Sequence, residues 1–163
     1  VRAVRELATE RLRLRPITLE DAPFVHELLN DPGWIANIGD RGVRDLETAR
    51  DYIAERLAAN GWFVVCAGTA EPLGICGLLE REGVDAPDLG YAFLERHCGK
   101  GYATEAAAAV LRYGRETLRL PRIVALTAPD NAASRRVLEK IGFRFAHLIE
   151  LPGHEGPSAY FTS

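Results

Sequence analysis

Cysteine is scarce. The 163 residues hold three, Cys66, Cys76 and Cys98, odd in number and far apart. No two form a Cys-x-x-Cys pair, and His26, His97, His147 and His154 are scattered, which argues against a zinc or other metal site and fits a reducing cytoplasm. No apolar run approaches the ~20 residues that span a bilayer. The opening residues, Val1-Arg-Ala-Val-Arg-Glu6, contain no signal-peptide h-region. Position 1 is not methionine, so the native start is expected upstream or processed. An excess of positive charge is missing too: 20 Lys and Arg face 23 Asp and Glu, for a net charge of −3 and a pI near 5.8. That balance argues against nucleic acid as a partner. What remains is an ordinary globular composition, 47% hydrophobic and 26% charged, long enough for one domain over residues 1–163 with a sizeable core.

The hydrophobic pattern changes period along the chain. Arg11 to Arg15 alternates strictly and predicts a strand ending at Pro16. Thr18 and Asp21 form a capping box before a helix carrying Phe24, Val25, Leu28 and Leu29, which Asn30-Asp31-Pro32-Gly33 stops. Trp34 to Gly42 is read as irregular, and Leu46 to Asn60 as a second helix ended by Gly61. Strands are predicted at Trp62–Ala67, Leu73–Leu79 and Asp88–Glu95, with Glu71-Pro72 and residues 80–87 as the turns of a meander. A helix over Ala103–Leu118, a strand at Arg122–Thr127 and a short helix opened by Asn131 and closed by Gly142 follow. Phe143–Leu151 and Ala159–Thr162 form a last pair of strands. The order β-α-α-β-β-β-α-β-α-β-β is mixed α/β. Its strand–helix–strand crossover should make the strands at 88–95 and 122–127 parallel, with a ligand at their carboxyl ends.

The chain is organised around the junction Arg96-His97-Cys98-Gly99-Lys100-Gly101-Tyr102-Ala103. Glycines let the backbone turn and expose its N–H groups, and the helix that starts there adds unpaired donors and a partial positive charge. Arg96 and Lys100 add formal charge. This is an anion cradle fit for a pyrophosphate, although the local pattern alone also describes a connecting loop. A Walker loop is excluded, because Lys100 is followed by Gly101 and one residue separates the glycines. A dinucleotide fingerprint fails at Thr104 and lacks the acid that should close the next strand near Leu126-Thr127-Ala128. Cys98 beside the cradle has no base paired with it in sequence and is read as structural.

With Arg96, Gly99 and Gly101 continued by Gly101-Tyr-Ala-Thr-Glu-Ala106, with Asn131-Ala-Ala-Ser134, and with Val137-Leu-Glu-Lys-Ile-Gly-Phe143 and Leu89-Gly-Tyr91, the sequence resembles the GNAT superfamily of acetyl-CoA-dependent N-acetyltransferases. Within it the likeness is to the branch of the ribosomal-protein alanine N-acetyltransferases. The motifs cover residues 88–143, and the element order extends the likeness over about 10–162. The resemblance implies a fold with a splayed pair of parallel strands. It places pantetheine along Phe93, Leu94 and Glu95 and the pyrophosphate over the N–H groups of His97 to Ala103, with Arg96, Gly99, Lys100, Gly101 and Tyr102 in the cradle. It also gives Asn131 a contact to the pantetheine arm beside its cap role.

The implied chemistry is direct attack of a neutral amine on the thioester in a ternary complex, with a backbone N–H near Leu94 stabilising the oxyanion. Many members protonate the departing thiolate with a tyrosine on the later helix; here 135–141 contains none, so Ser134 is the candidate, set against a reading as a small polar core residue. Asp88 is the candidate base, set against a solvated turn carboxylate; Glu105 belongs to the cofactor helix. An α-amine of pKa about 7.8 is about a quarter neutral near pH 7.4, and a lysine near 10.4 about 0.1%. A site with a weak base therefore suits an α-amine. The acceptor pocket falls to the first helices, Trp34–Gly42 and the last hairpin, with Trp34 and Trp62 as wall or plain core. The partner is an amine-bearing small molecule or a protein N-terminus, and the chain a monomer or homodimer. An antibiotic or other small-molecule acetyltransferase and a non-catalytic acyl-CoA sensor are the alternatives. Gly101→Glu, which puts a carboxylate in the cradle, is expected to abolish acetyl-CoA binding in a variant that still folds; unchanged affinity by calorimetry would remove the cradle from the site.

Overall fold

Leu12 and Leu14 are buried while Arg13 and Arg15, alternating with them, are half-buried, so β2 (Leu12–Pro16) shows one face to the core. It follows β1 (Leu7–Ala8), its antiparallel partner. The computed structural model describes residues 6–68 and 71–163; the leader reading of residues 1–5 lies outside them. Among the described residues no helix is long and apolar enough to cross a membrane.

Helices α1 (Ala22–Leu29), α2 (Pro32–Asn37) and α3 (Leu46–Tyr52) come next. Predicted as irregular, the stretch after Asn30 is instead helical from Pro32. Asp31 caps it, its carboxylate accepting from the Gly33 N–H at 3.2 Å, and Pro32 takes the first-turn position where its missing N–H costs nothing. The same Asp-Pro that ends α1 thus starts α2. The helix predicted to run to Asn60 changes pitch, passing from α3 into a π turn (Ile53–Leu57) and a 3-10 turn (Ala58–Asn60) before Gly61 ends it with φ +72°.

Strands β3 (Phe63–Ala67), β4 (Glu71–Leu79) and β5 (Asp88–Phe93) form the meander. β3 reads as an unbroken apolar run because both faces of the sheet are covered: Phe63 and Val65 belong to one buried cluster, Val64 and Cys66 to the other. Glu71-Pro72 is not a turn. It is the start of β4, and the register shift at Val65/Cys66 lets Pro72 enter opposite Cys66. Then come α4 (Tyr102–Arg112), extended by a π turn at Tyr113–Thr117, β6 (Val124–Thr127), α5 (Ala132–Lys140), β7 (Arg144–Ile149) and β8 (Ser158–Thr162). The observed order ββαααβββαβαββ adds a strand, β1, and a helix, α2, to the predicted one.

The eight strands of the described residues lie in one sheet, ordered β1-β2-β3-β4-β5-β6-β8-β7. Every neighbouring pair is antiparallel except β5 and β6, which are parallel as the crossover requires. Those two strands are matched only at Asp88 and Val124, where the Val124 N–H donates to Pro87 at 3.0 Å. Beyond that point they part, β5 staying with β4 and β6 with β8. The cluster holding Ala106, Ala107, Val110 and Leu138 puts α4 and α5 on one face; the other face carries α1, α2 and α3.

Gly77 and Gly90 sit opposite each other on β4 and β5, and a Cβ on either would fall 2.8 Å from the Trp62 indole. The pair of glycines is what lets the ring lie flat on the sheet. Gly90→Ala is therefore expected to destabilise the fold by about 1–3 kcal/mol, the usual range for forced overpacking, measured by urea denaturation.

Candidate active site

The gap between β5 and β6 has one free edge. The Leu94 N–H donates to Leu73 at 3.0 Å, so by alternation the Phe93 and Tyr91 backbone groups face the gap. This corrects the expectation for Leu94: its N–H is spent on β4 and cannot meet an oxyanion, and Phe93 offers the free donor. The Glu95 N–H is also taken, by Asp31 Oδ2 at 3.1 Å, a bond that ties α2 to the end of β5. Gly74, opposite Phe93, leaves room for its ring, since a Cβ there would lie 2.7 Å from it.

Glu95 to His97 form a 3-10 turn, in which the His97 N–H donates to Leu94 and the Cys98 N–H to Glu95. The cradle predicted over His97–Ala103 is therefore shorter and begins at Gly99. Among the described residues the N–H groups of Gly99, Lys100 and Gly101 make no hydrogen bond. Gly101, left-handed at φ +81°, is the N-cap of α4 and supplies no side-chain cap, so the N–H groups of Tyr102, Ala103 and Thr104 also stay open. Gly99 has the same φ, and the space over it is empty to 4 Å. A bend of consecutive unpaired donors at a helix N-terminus fits a diphosphate.

The bend is held by the turn between β1 and β2. Glu105, in the first turn of α4, accepts from the Arg11 N–H at 3.0 Å, from Arg11 Nε at 2.8 Å and from the Thr9 hydroxyl. Arg11 also donates to the Lys100 carbonyl at 2.9 Å and lies 4.7 Å above the Tyr102 ring. Partial burial pushes the Glu105 carboxyl up, but the Thr9 and Arg11 bonds outweigh it and keep the pKa below the usual range. Sequence reasoning missed Thr9, Arg11 and Asp31, whose bonds join residues more than sixty positions apart and leave no local pattern.

Arg96 turns aside. Its guanidinium reaches Glu27 at 3.4 Å and Glu71 at 3.9 Å, so its charge is partly answered there. His97 Nε2 is buried 3.5 Å from Glu71 Oε1 without forming a hydrogen bond. The Lys100 side chain is exposed. Cys98 is exposed as a residue, its thiol against the Leu94 carbonyl; partial burial and then the Asp31 and Glu95 charges raise its pKa, the opposite of an activated thiolate.

Asn131 caps α5, its side-chain oxygen accepting the Ser134 N–H at 3.1 Å. That leaves its amide NH2, which has no partner among the described residues. Ser134 Oγ lies 2.8 Å from the Tyr91 hydroxyl, which also lies 3.1 Å from the Ser134 carbonyl. This bond spans from β5 to α5, across the splay. Burial pushes the Tyr91 phenol up to about 12, so it stays protonated at neutral pH. Tyr91, read in sequence only as part of a strand phrase, is the missed partner of Ser134.

Asp88 lies at the other end of β5, where the strands still pair. It is 2% exposed and holds Arg81 Nε at 2.9 Å; burial raises its pKa and Arg81 opposes the rise. It is not a solvated turn carboxylate. Trp34 and Trp62 are both buried in the cluster under α1–α3, and the Trp34 indole donates to Gly39 at 3.0 Å.

The acetyltransferase (GNAT) domain family matches residues 11–144. An uncharacterized N-acetyltransferase, p20, from Bacillus licheniformis is 33% identical over 151 residues, covering 88% of this chain and 84% of its own. The crystal structure of a GNAT-family acetyltransferase from Bacillus anthracis superposes with a TM-score of 0.81 at 31% identity, covering 97% of this chain and 96% of that one. RimL, a ribosomal L7/L12 alpha-N-protein acetyltransferase solved with coenzyme A, shares the fold with a TM-score of 0.83 at 17% identity, over 98% and 97% of the two chains. Family match, relatives and splayed strands agree: the chain belongs to the GNAT family of acetyltransferases.

Proposed function

We propose that this single-domain chain moves the acetyl group of acetyl-CoA to a primary amine of low pKa, a protein N-terminal α-amine foremost, with both substrates bound at once. The observation that carries the reading is the run of unpaired N–H groups from Gly99 into the first turn of α4, at the carboxyl end of a strand whose free edge faces a gap. The cosubstrate supplies an activated thioester. The chain's residues do the rest. Gly99, Lys100, Gly101, Tyr102 and Ala103 bind the diphosphate through backbone donors, with the Lys100 ammonium adding charge. Phe93 bonds the pantetheine arm as an added strand would, helped by the free amide of Asn131; Leu94 and Glu95, bound to Leu73 and Asp31, fix the edge in place. Arg96 and His97 flank the entrance, anchored by Glu27 and Glu71.

Ser134 gives a proton or hydrogen bond to the leaving thiolate. Tyr91 has one proton to give: when it donates to Ser134 Oγ, the serine hydroxyl is released to point at the sulfur. Asp88 would have to break from Arg81 to accept a proton, so its task here is to hold Arg81 at the acceptor end. The amine then arrives already neutral, which favours an α-amine over a lysine by about 3.5 kcal/mol. Trp62 floors the acceptor side.

The reading is tested by thiol release against N-terminal peptides, polyamines and aminoglycosides; a protein that binds acetyl-CoA and releases thiol with none of them is a sensor. Ser134→Ala is expected to lower kcat about 10–100-fold with acetyl-CoA affinity unchanged, and equal turnover would remove Ser134 from the mechanism. For a peptide α-amine the rate should rise with pH up to the amine pKa near 8, because only the free base attacks. It should then level off, since Tyr91 keeps its proton to about 12. Arg11→Ala, which frees Glu105 and the bend, is expected to weaken acetyl-CoA binding about three- to ten-fold, a modest loss because the Arg11 side chain is 45% exposed; calorimetry reads the change.

A further inference from the structure

Trp62 carries a polar group that the fold does not use. Its indole N–H is buried and has no hydrogen-bond partner, and a buried donor left unpaired needs a reason. The ring lies over Gly90, which precedes Tyr91 on β5. Successive strand residues point to opposite faces, so Trp62 and the Tyr91–Ser134 pair stand on opposite sides of the strand that lines the gap. A Cβ at Gly90 would also come within 3.4 Å of Leu79. Leu79 is matched with Asp88, which holds Arg81. The indole and this guanidinium therefore belong to one continuous patch.

Three other segments converge on it. Tyr52 of α3 packs into the Trp62 cluster; burial raises its pKa, and the charges of Arg41, Arg56 and Arg81 oppose the rise. The β7–β8 loop reaches the β4–β5 loop where a Cβ on Gly83 would touch Pro152 at 3.0 Å. On the same loop burial first, then the charges of Arg81 and Arg41, lower the pKa of His154. The carboxylates nearest in sequence are already engaged. Asp40 is held by Arg44 and the Gly42 N–H, and Asp88 uses only Nε of Arg81. Among the described residues Arg41 has no ion-pair partner.

We propose that the acceptor end of the cleft selects a primary amine that also carries a carboxylate, received by the Trp62 indole N–H and the guanidinium groups of Arg41 and Arg81. The proposal rests on the transferase reading and names its substrate class. The unspent groups of Trp62, Arg41 and Arg81 are donors or cations, which an oxygen anion satisfies and a polycation does not. The opposing feature is the recess of about 400 Å³ that Arg81 itself lines together with Glu80, Glu82 and Asp85; if those carboxylates governed choice, a polyamine would win. Asp85 is already tied to Arg122 and Tyr160.

The test compares acceptors that share an amine and differ in one group: the dipeptide amides Ala-Glu and Ala-Gln, then free alanine and alanine amide at equal concentrations of neutral amine, with spermidine as the polycation. Thiol release should show kcat/KM about ten-fold higher for the carboxylate member of at least one pair; which pair responds tells a peptide from a free amino acid. Arg41→Ala, on an exposed loop, should bring that ratio near one without changing the rate for the carboxamide or the affinity for acetyl-CoA. Trp62→Phe, which keeps the ring and removes the N–H, should lower the ratio in the same direction. Spermidine outpacing both pairs, or a ratio that survives Arg41→Ala, overturns the proposal and leaves the transferase reading intact. If no amine releases thiol, the transferase reading falls, and calorimetric binding of the same pairs to the CoA-loaded protein still decides the carboxylate preference.

Discussion

Two strands that begin as neighbours and then separate create everything else in this protein. β5 and β6 share one matched pair, Asp88 and Val124, after which each is bonded along its length to a different partner. The backbone groups of Tyr91 and Phe93 are thereby left facing a gap rather than another strand. A buried sheet seldom leaves such an edge open, because unpaired N–H and C=O groups out of water cost as much as a lost hydrogen bond. An edge of this kind is open to completion by a ligand's own donors and acceptors. The glycine bend at Gly99 and Gly101 repeats the arrangement at the end of the strand: backbone donors again, kept apart from protein acceptors, here by left-handed φ angles and by a helix start with no side-chain cap.

The bend keeps its shape because of charge pairing placed behind it. Glu105, Arg11 and Thr9 bind the first turn of α4 to the β1–β2 hairpin, and Asp31 fixes the exit of β5 to α2. None of these side chains bonds an N–H group of the bend between Gly99 and Thr104; Arg11 holds the Lys100 carbonyl instead. They leave the N–H groups free while removing the freedom of the backbone that carries them, which is how preorganisation lowers the cost of binding.

Much of this was legible in the sequence, for local reasons. The bend of open N–H groups follows from Gly99, Gly101 and a helix start. The parallel pair follows from a strand–helix–strand order, and the Asn131 cap from residue type alone. The misreadings also have local causes. Asp31-Pro32 is both a stop for one helix and a start for the next, and only the Gly33 N–H on Asp31 decides between them. Pro72 has the look of a turn until a bulge in the facing strand makes room for it. Leu94 and His97 were assigned to the ligand, yet their N–H groups are used by the neighbouring strand and the 3-10 turn; no pattern in one strand shows which way its amides point. Arg11, Thr9 and Tyr91 act through partners distant in sequence, and their roles appear only when the sheet and helices bring those partners close.

The three thiols are unequally placed. Cys66 and Cys76 are buried in the sheet, and burial raises the pKa of both, most at Cys76, while Cys98 is exposed on the loop that leads into the cradle. The molecule therefore carries a single accessible attachment point, one residue from the bend. A fluorophore or spin label fixed there would report occupancy of the cleft directly, with no engineered cysteine and no native one to remove.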